Sequence, residues 1–207
     1  MTDGIATGRD GRPRCWWASG GDPLYLPYHD TEWGRPTNDD RRLFEKLCLE
    51  GFMSGLSWLT ILRKRDSFRR AFADFDPATI AGFDDKDEQR LLADAGIVRN
   101  RAKIVATINN ARRHQSLVEE FGSFAAYAWR FEPAPRARPH DQESLLQLKF
   151  SPEAAAMSRD LRKRGWNFVG PTTVYSFMQA MGLVNDHLEG CFVAGEVDAL
   201  RASFKRP

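Results

Sequence analysis

Leu91-Leu92-Ala93-Asp94-Ala95-Gly96-Ile97-Val98-Arg99-Asn100-Arg101-Ala102-Lys103-Ile104 is the stretch whose reading decides the fold. One helix, expected over Lys86–Ala95, runs out at Gly96, where a residue without a Cβ suits the cap of the last turn. A short apolar hairpin follows, and a second helix, expected over Arg101–Arg113, begins at once beside three cations, Arg99, Arg101 and Lys103. A hairpin between two helices can aim backbone amides and the second helix's N-terminus at one phosphate, while the cations add sequence-independent attraction. The same pattern also suits an ordinary helical hairpin with a solvated basic face, and spacing alone does not separate the two readings.

Outward from the hairpin the chain keeps the helical period. Thr37-Asn38-Asp39-Asp40 reads as a helix start, followed by Leu43, Phe44, Leu47 and Cys48 at helical spacing, with Arg41, Arg42, Glu45 and Lys46 expected on the outside. A break at Gly51 to Gly55 precedes an apolar stretch that is expected to end at Arg63-Lys64-Arg65. Further helices are expected over Ser67–Asp74, Pro77–Gly82, Leu117–Phe121, Pro152–Arg164 (with Ser151 as cap and Pro152 at its first position) and Thr172–Gly182. The aromatic segment from Cys15 to Pro36 is punctuated by Gly and Pro and reads as a packed irregular loop. Glu132–Pro139 reads as an exposed connection. No segment alternates, so the expected class is all-α. Residues 1–14 are expected to be a flexible tail, 15–195 a single domain of two helical lobes, and 196–207 a C-terminal tail.

The 207 residues carry 30 Lys+Arg against 28 Asp+Glu, so a net charge of +2 neither demands nor forbids nucleic acid. Every apolar run is broken by charges before the ~20 residues a membrane span needs. The first fourteen residues hold no apolar signal core, so a cytoplasmic, reducing setting is expected, with the three cysteines as thiols, metal ligands or core residues. Gly-rich phosphate loops and nucleophile elbows are absent, which makes redox and acyl-transfer chemistry poor candidates.

Two constellations can carry chemistry. Cys15 and His29 near the start, with His187 and Cys191 near the end, offer two thiols and two imidazoles. Residues four apart on one helix face can share a metal ion, yet the halves lack a standard finger spacing, and two buried thiols with unrelated histidines fit as well. Glu50 falls where the first long helix breaks. With Trp17, Tyr25, Tyr28 and Trp33 it can line a pocket for a planar base, the rings stacking and the carboxylate accepting from an exocyclic amine. The bland alternative makes the aromatics core and Glu50 a salt-bridge partner.

Taken together the blocks resemble the 3-methyladenine DNA glycosylase I family of the helix-hairpin-helix glycosylases. They are Arg14-Cys15-x-Trp17; Asp22-Pro23-Leu24-Tyr25-x-x-Tyr28-His29-Asp30-x-Glu32-Trp33-Gly34; Leu49-Glu50-Gly51-x-x-x-Gly55-Leu56-Ser57-Trp58; Ala95-Gly96-Ile97-x-Arg99-Asn100-Arg101; Arg164-Gly165-x-x-Phe168-Val169-Gly170; and Tyr175-Ser176-Phe177-Met178-Gln179-Ala180 with Asn185-Asp186-His187-x-x-x-Cys191. The resemblance implies excision of N3-alkylated adenine from double-stranded DNA by a monomer, without lyase activity. It implies that Cys15, His29, His187 and Cys191 bind one structural zinc, joining the chain's two ends. It also implies a base pocket with Glu50, Tyr28 and Trp58 in the catalytic roles and Tyr25, Trp17, Ser176 and Met53 beside them. Gly55 and Leu56 would enter the duplex, and Gly96, Arg99, Arg101 and Lys103 would hold its backbone. The family lacks a catalytic aspartate after the hairpin, and Ile104–Thr107 carries no carboxylate. One departure stands out: many members carry Gln where this chain has Met53, whose thioether cannot donate hydrogen bonds. That departure motivates the alternative of a zinc-clipped binder of distorted DNA with lost or altered lesion specificity.

Overall fold

The computed structural model describes residues 4–19 and 22–207. Eleven α-helices and one short hairpin appear among them. The hairpin pairs β1 (Ile5–Thr7) antiparallel with β2 (Pro13–Cys15). Helix α1 (Tyr25–Thr31) leads into α2 (Asp40–Met53) and α3 (Trp58–Ala71). The short α4 (Pro77–Ala81) and α5 (Asp85–Ala93) precede the long α6 (Arg101–Phe121). The rest comprises α7 (Phe124–Trp129), α8 (Gln142–Gln147), α9 (Pro152–Lys163), α10 (Pro171–Ala180) and α11 (Ala194–Ser203). None of the described helices is long and apolar enough to cross a membrane.

Local chemistry sets the ends of α2 and α3. Asp39 accepts from the Arg42 amide at 3.1 Å, and Ser57 does the same for the Thr60 amide at 3.2 Å. Between them Gly55 adopts φ +79°, a turn that a side chain would strain. The apolar stripe Leu43, Phe44 and Leu47 is fully buried, and α2 packs against α10, itself packed on α9. A continuous core joins residues from Tyr28 to Val184.

Several expectations need correction. Residues 4–14 are ordered as the hairpin, because Arg14 is buried and bonds both Asp10 and Asp30; residues 1–3 of the expected tail lie outside the described residues. Helix α11 occupies most of the expected C-terminal tail, with Val197 buried. The aromatic loop contains α1. The break at Arg63-Lys64-Arg65 does not occur: Arg63 bonds Asp22, Arg65 pairs with Glu32 at 2.6 Å, and α3 runs on to bury Phe68. Helix α6 likewise continues past its expected end at Arg113, through the buried His114. The 132–139 connection is pinned by Arg136 on Asp186 at 2.6 Å and by Arg138 on Asp198.

The loop joining α1 to α2 rests on Gly182, which adopts φ +76°; a Cβ there would lie 2.6 Å from the Arg35 carbonyl carbon and 2.7 Å from the Gly34 oxygen. Gly182→Ala is therefore expected to cost at least about 2 kcal/mol, strain and clash together. Gly122→Ala, at φ +85° with open space around it, should cost about 1 kcal/mol of strain alone. Urea unfolding of both variants measures the difference.

Candidate functional site

Helix α1 brings Tyr25 and Tyr28 to a cleft of about 530 Å³, and α2 delivers Glu50 and Met53 from its last turn. Trp58 at the start of α3, Trp17, Trp33 and Ser176 of α10 complete the lining that the sequence suggested; Trp16 also lines it. Sequence reasoning missed Thr172, Tyr175 and Gln179 on α10 and the apolar rim of Leu145, Leu146 and Leu148 at α8. The spacing of Thr172, Tyr175, Ser176 and Gln179, three and four apart, places them on one helix face and was the available signal.

Glu50 is 3% exposed and is the one acid lining the cleft among the described residues. Both sequence alternatives hold at once: it lines the pocket and it is ion-paired. Its Oε1 accepts from Lys46 Nζ at 2.7 Å, while Oε2 is buried without a partner among the described residues, as is Trp58 Nε1. Lys46, expected on the outer face of α2, is instead buried because its Nζ also donates to Tyr28 Oη at 2.8 Å. Burial pushes the Lys46 ammonium down and the Glu50 carboxylate opposes that shift. Burial, reinforced by the Glu50 charge, pushes the Tyr28 phenol up, so it stays protonated. The rings of Tyr28 and Trp58 lie 5.2 Å apart at 41°.

Behind this wall Trp17 touches Tyr25, Tyr28, His29 and Trp33, its ring 5.0 Å from that of His29. His29 belongs to a buried cluster with Cys15, His187 and Cys191, whose ligand atoms all lie within 4.8 Å of one another. Cys191 Sγ is 3.4 Å from His29 Nε2 and 3.6 Å from His187 Nδ1. Ligands bound at about 2.0–2.3 Å around a tetrahedral centre stand roughly 3.4–3.8 Å apart, so these separations suit a metal ion. The outer nitrogens are held as well: His29 Nδ1 meets Asp30 at 2.8 Å, and His187 Nε2 meets the Trp33 carbonyl at 3.1 Å. Cys48 stands apart as a buried core residue on α2.

The protruding turn between α2 and α3 exposes Gly55 and Leu56, the latter 44% exposed. In the hairpin the Gly96 amide donates to Asp94 at 2.7 Å, and Asn100 caps α6 through the Lys103 amide at 3.2 Å. Arg99 is exposed, and Arg101 is exposed beside Glu88 at 2.6 Å. Lys103 departs from its expected role. It is buried, and its Nζ donates to the Phe52 and Ser54 carbonyls at 2.8 and 2.5 Å, so it is not a free phosphate contact.

A family model described as methyladenine glycosylase matches residues 16–194. The chain belongs to the methyladenine glycosylase family. It is 47% identical over 180 residues to DNA-3-methyladenine glycosylase 1 of Escherichia coli, covering 86% of this chain and 95% of that protein. It is 42% identical to DNA-3-methyladenine glycosylase of Haemophilus influenzae over 86% of this chain and 96% of that one. A crystal structure of 3-methyladenine DNA glycosylase I superposes with a TM-score of 0.81 at 47% identity, covering 86% of this chain and 98% of that chain. A variant of such an enzyme solved in complex with 3-methyladenine gives 0.79 at 36% identity, covering 83% and 92%.

The geometry of the basic residues yields a test. Arg99→Ala and Arg101→Ala should each weaken DNA binding uniformly across sequences and lower the salt slope by about one. Lys103→Met should leave that slope unchanged and lower thermal stability instead. Binding isotherms over a salt series, with a melting curve for each variant, measure both.

Proposed function

We propose that this member of the methyladenine glycosylase family hydrolyses the N-glycosidic bond of N3-methylated adenine in duplex DNA and releases the free base without cutting the strand. The observation that carries the reading is the Glu50 carboxylate, one oxygen free, at the floor of an aromatic cleft in a chain 47% identical to an enzyme named for that activity. Methylation at N3 makes the adenine a cation, so the electron pair of the breaking bond returns to the ring and the base leaves neutral. Water supplies the oxygen that joins C1′, and its proton passes to solvent. Little acid catalysis is needed, and the pocket's task is to hold the base out of the stack. Glu50 Oε2 accepts from the exocyclic amine, and Tyr28 and Trp58 stack on the ring, with Tyr25, Trp17, Ser176 and Met53 shaping its surroundings. Helix α6 carries no carboxylate before Glu119, which agrees with a reaction that uses no aspartate after the hairpin. Lys46 does not line the cleft and Lys149 lies on its exposed rim, so among the described residues no buried amine is offered to C1′.

Gly55 and Leu56 fill the gap left by the base, and the Gly96 hairpin with Arg99 and Arg101 holds the backbone. Residues 15–195 work as one unit of two helical lobes, which the continuous core supports, and that unit acts as a monomer in the cytoplasm. The alternative of a binder without turnover has only Met53 in its favour, and the named activity of the relatives supports catalysis.

Glu50→Gln should lower release of 3-methyladenine from methylated duplex about 100-fold while DNA affinity stays within about twofold. An equal loss of both would make Glu50 structural, and no release by the unaltered protein, with binding intact, would favour the binder.

Cys15, His29, His187 and Cys191 fit a structural zinc ion: two thiols and two imidazoles, all buried, with the outer imidazole nitrogens occupied. Zinc there would supply a cross-link between the chain's ends rather than chemistry. Metal analysis should find about one equivalent, and Cys191→Ala should lower Tm by at least about 5 °C. Far less metal, or an unchanged Tm, would remove zinc from the structure.

A further inference from the structure

Lys46 stands behind the cleft and touches three of the residues that form it. Its Nζ donates to Glu50 Oε1 at 2.7 Å and to Tyr28 Oη at 2.8 Å, and it lies 3.1 Å from the centroid of the Trp58 ring. An ammonium carries three protons, so two serve hydrogen bonds and the third meets an aromatic face. The side chain is 7% exposed and lines a charged notch with Glu32, Glu45 and Arg65, on the far side of Tyr28 and Trp58 from the cleft. Burying an ammonium is costly, and its neighbours Leu43, Leu47 and Leu49 show that α2 is otherwise packed with apolar side chains. A methionine would fill the same space without a charge.

We propose that Lys46 is a positioning residue that clamps Glu50 by one oxygen and presents the other to the base. The proposal rests on Glu50, Tyr28 and Trp58 forming the base pocket. Held this way, Glu50 offers a single acceptor in a fixed direction. Tyr28 Oη, which accepts from Nζ, retains its own proton to donate. One face of Trp58 is taken by the ammonium, so only the other is open to a stacked base. The pair is neutral as a whole, so the pocket selects its base by hydrogen-bond direction and stacking more than by net charge.

The charged and titratable groups around the pair are accounted for. Tyr25 and Glu32 approach from α1 and its exit, Arg42 and Glu45 lie on α2, Arg65 and Arg69 come from α3, Tyr175 faces the cleft from α10, and Lys149 lies on the rim. Glu32 and Glu45 are bonded to Arg65 and Arg69, and burial pushes the Tyr25 and Tyr175 phenols up.

Lys46→Met tests the clamp. Without the clamp Glu50 Oε1 is released and the carboxylate turns from the direction in which it meets the base. kcat for 3-methyladenine release from methylated duplex should fall by at least about tenfold, while affinity for the duplex stays within about twofold. The melting temperature should not fall, since a methionine fills the same space. An unchanged kcat, or a loss that comes with an equal loss of DNA affinity or with a lowered melting temperature, overturns the proposal. The unaltered protein provides a second arm that does not depend on a variant folding. With ¹⁵N-labelled lysine it should show an ammonium resonance protected from exchange, told from that of the buried Lys103 by its persistence in Lys103→Met, which shifts when free 3-methyladenine is added. No protected resonance, or one that ignores the base, overturns the clamp. No release by the unaltered protein sinks the glycosylase reading and the clamp with it, whereas release with an unchanged kcat in the variant sinks the clamp alone.

Discussion

A carboxylate at 3% exposure under aromatic rings is the constraint on which the rest of the cleft depends. Glu50 needs a partner where it is buried, and the helix supplies one four residues earlier in Lys46. That ammonium in turn needs to fill its remaining bonds, and it finds them on Tyr28 from α1 and Trp58 from α3. Three separate elements are thereby brought to one point by one pair of charges. The pairing is incomplete on the cleft side, where Glu50 Oε2 and Trp58 Nε1 have no partner among the described residues. Buried polar atoms are rarely left so, and an acceptor and a donor on residues lining a cavity are what a planar base with ring nitrogens and an exocyclic amine can satisfy.

Helix α1 is short and is punctuated by Pro27, so it depends on what surrounds it. His29 sits in the Cys15, His187 and Cys191 cluster, and Cys15 and His187 are 172 positions apart in sequence. The residue before His29 is Tyr28, and Trp17 lies two positions after Cys15. Closing the chain's ends therefore also sets two walls of the cleft. Outside the cluster, Asp30 takes His29 on one side and Arg14 on the other, and Arg14 goes on to Asp10 in the β1–β2 turn. The hairpin at the start of the chain thus reaches the cleft through four bonded side chains.

The parts legible in the sequence are those fixed by local rules. The cap at Asp39 and the turn at Gly55 follow from residue type and short spacing, whereas α5 stops at Ala93, short of the expected end at Gly96, because Asp94 leaves the helical conformation and accepts from the Gly96 amide. The Cys and His residues could be listed from sequence, but their meeting is a tertiary fact, and only the family resemblance joined them. Lys46 was misplaced because a lysine among charged neighbours reads as solvent-facing, although its spacing to Glu50 was visible. Arg63-Lys64-Arg65 resembled a helix end because cations favour a last turn. Partners from three distant segments, Asp22, the Ala95 and Gly96 carbonyls and Glu32, let the helix continue. None of those contacts is local, so no window of sequence contained them.

The two lysines nearest the hairpin show how its position is coupled to that of the protruding turn. Lys103, in the first turn of α6, reaches across to the carbonyls of Phe52 and Ser54, immediately before Gly55 and Leu56. Those carbonyls belong to the end of α2, where backbone acceptors lack helical partners and a buried cation is the natural cap. Lys64 of α3 does the converse, donating to Ala95 and Gly96 in the hairpin itself. The segment that contains Gly55 and Leu56 and the segment that contains Gly96 are therefore tied at both sides by ammonium to carbonyl bonds. Any displacement of the hairpin would pull on the end of α2, and so on Glu50 three residues before Met53. Lys103 is thus used as an internal strut, which with Lys64 fixes the distance between the Gly96 hairpin and the end of α2 that carries Glu50.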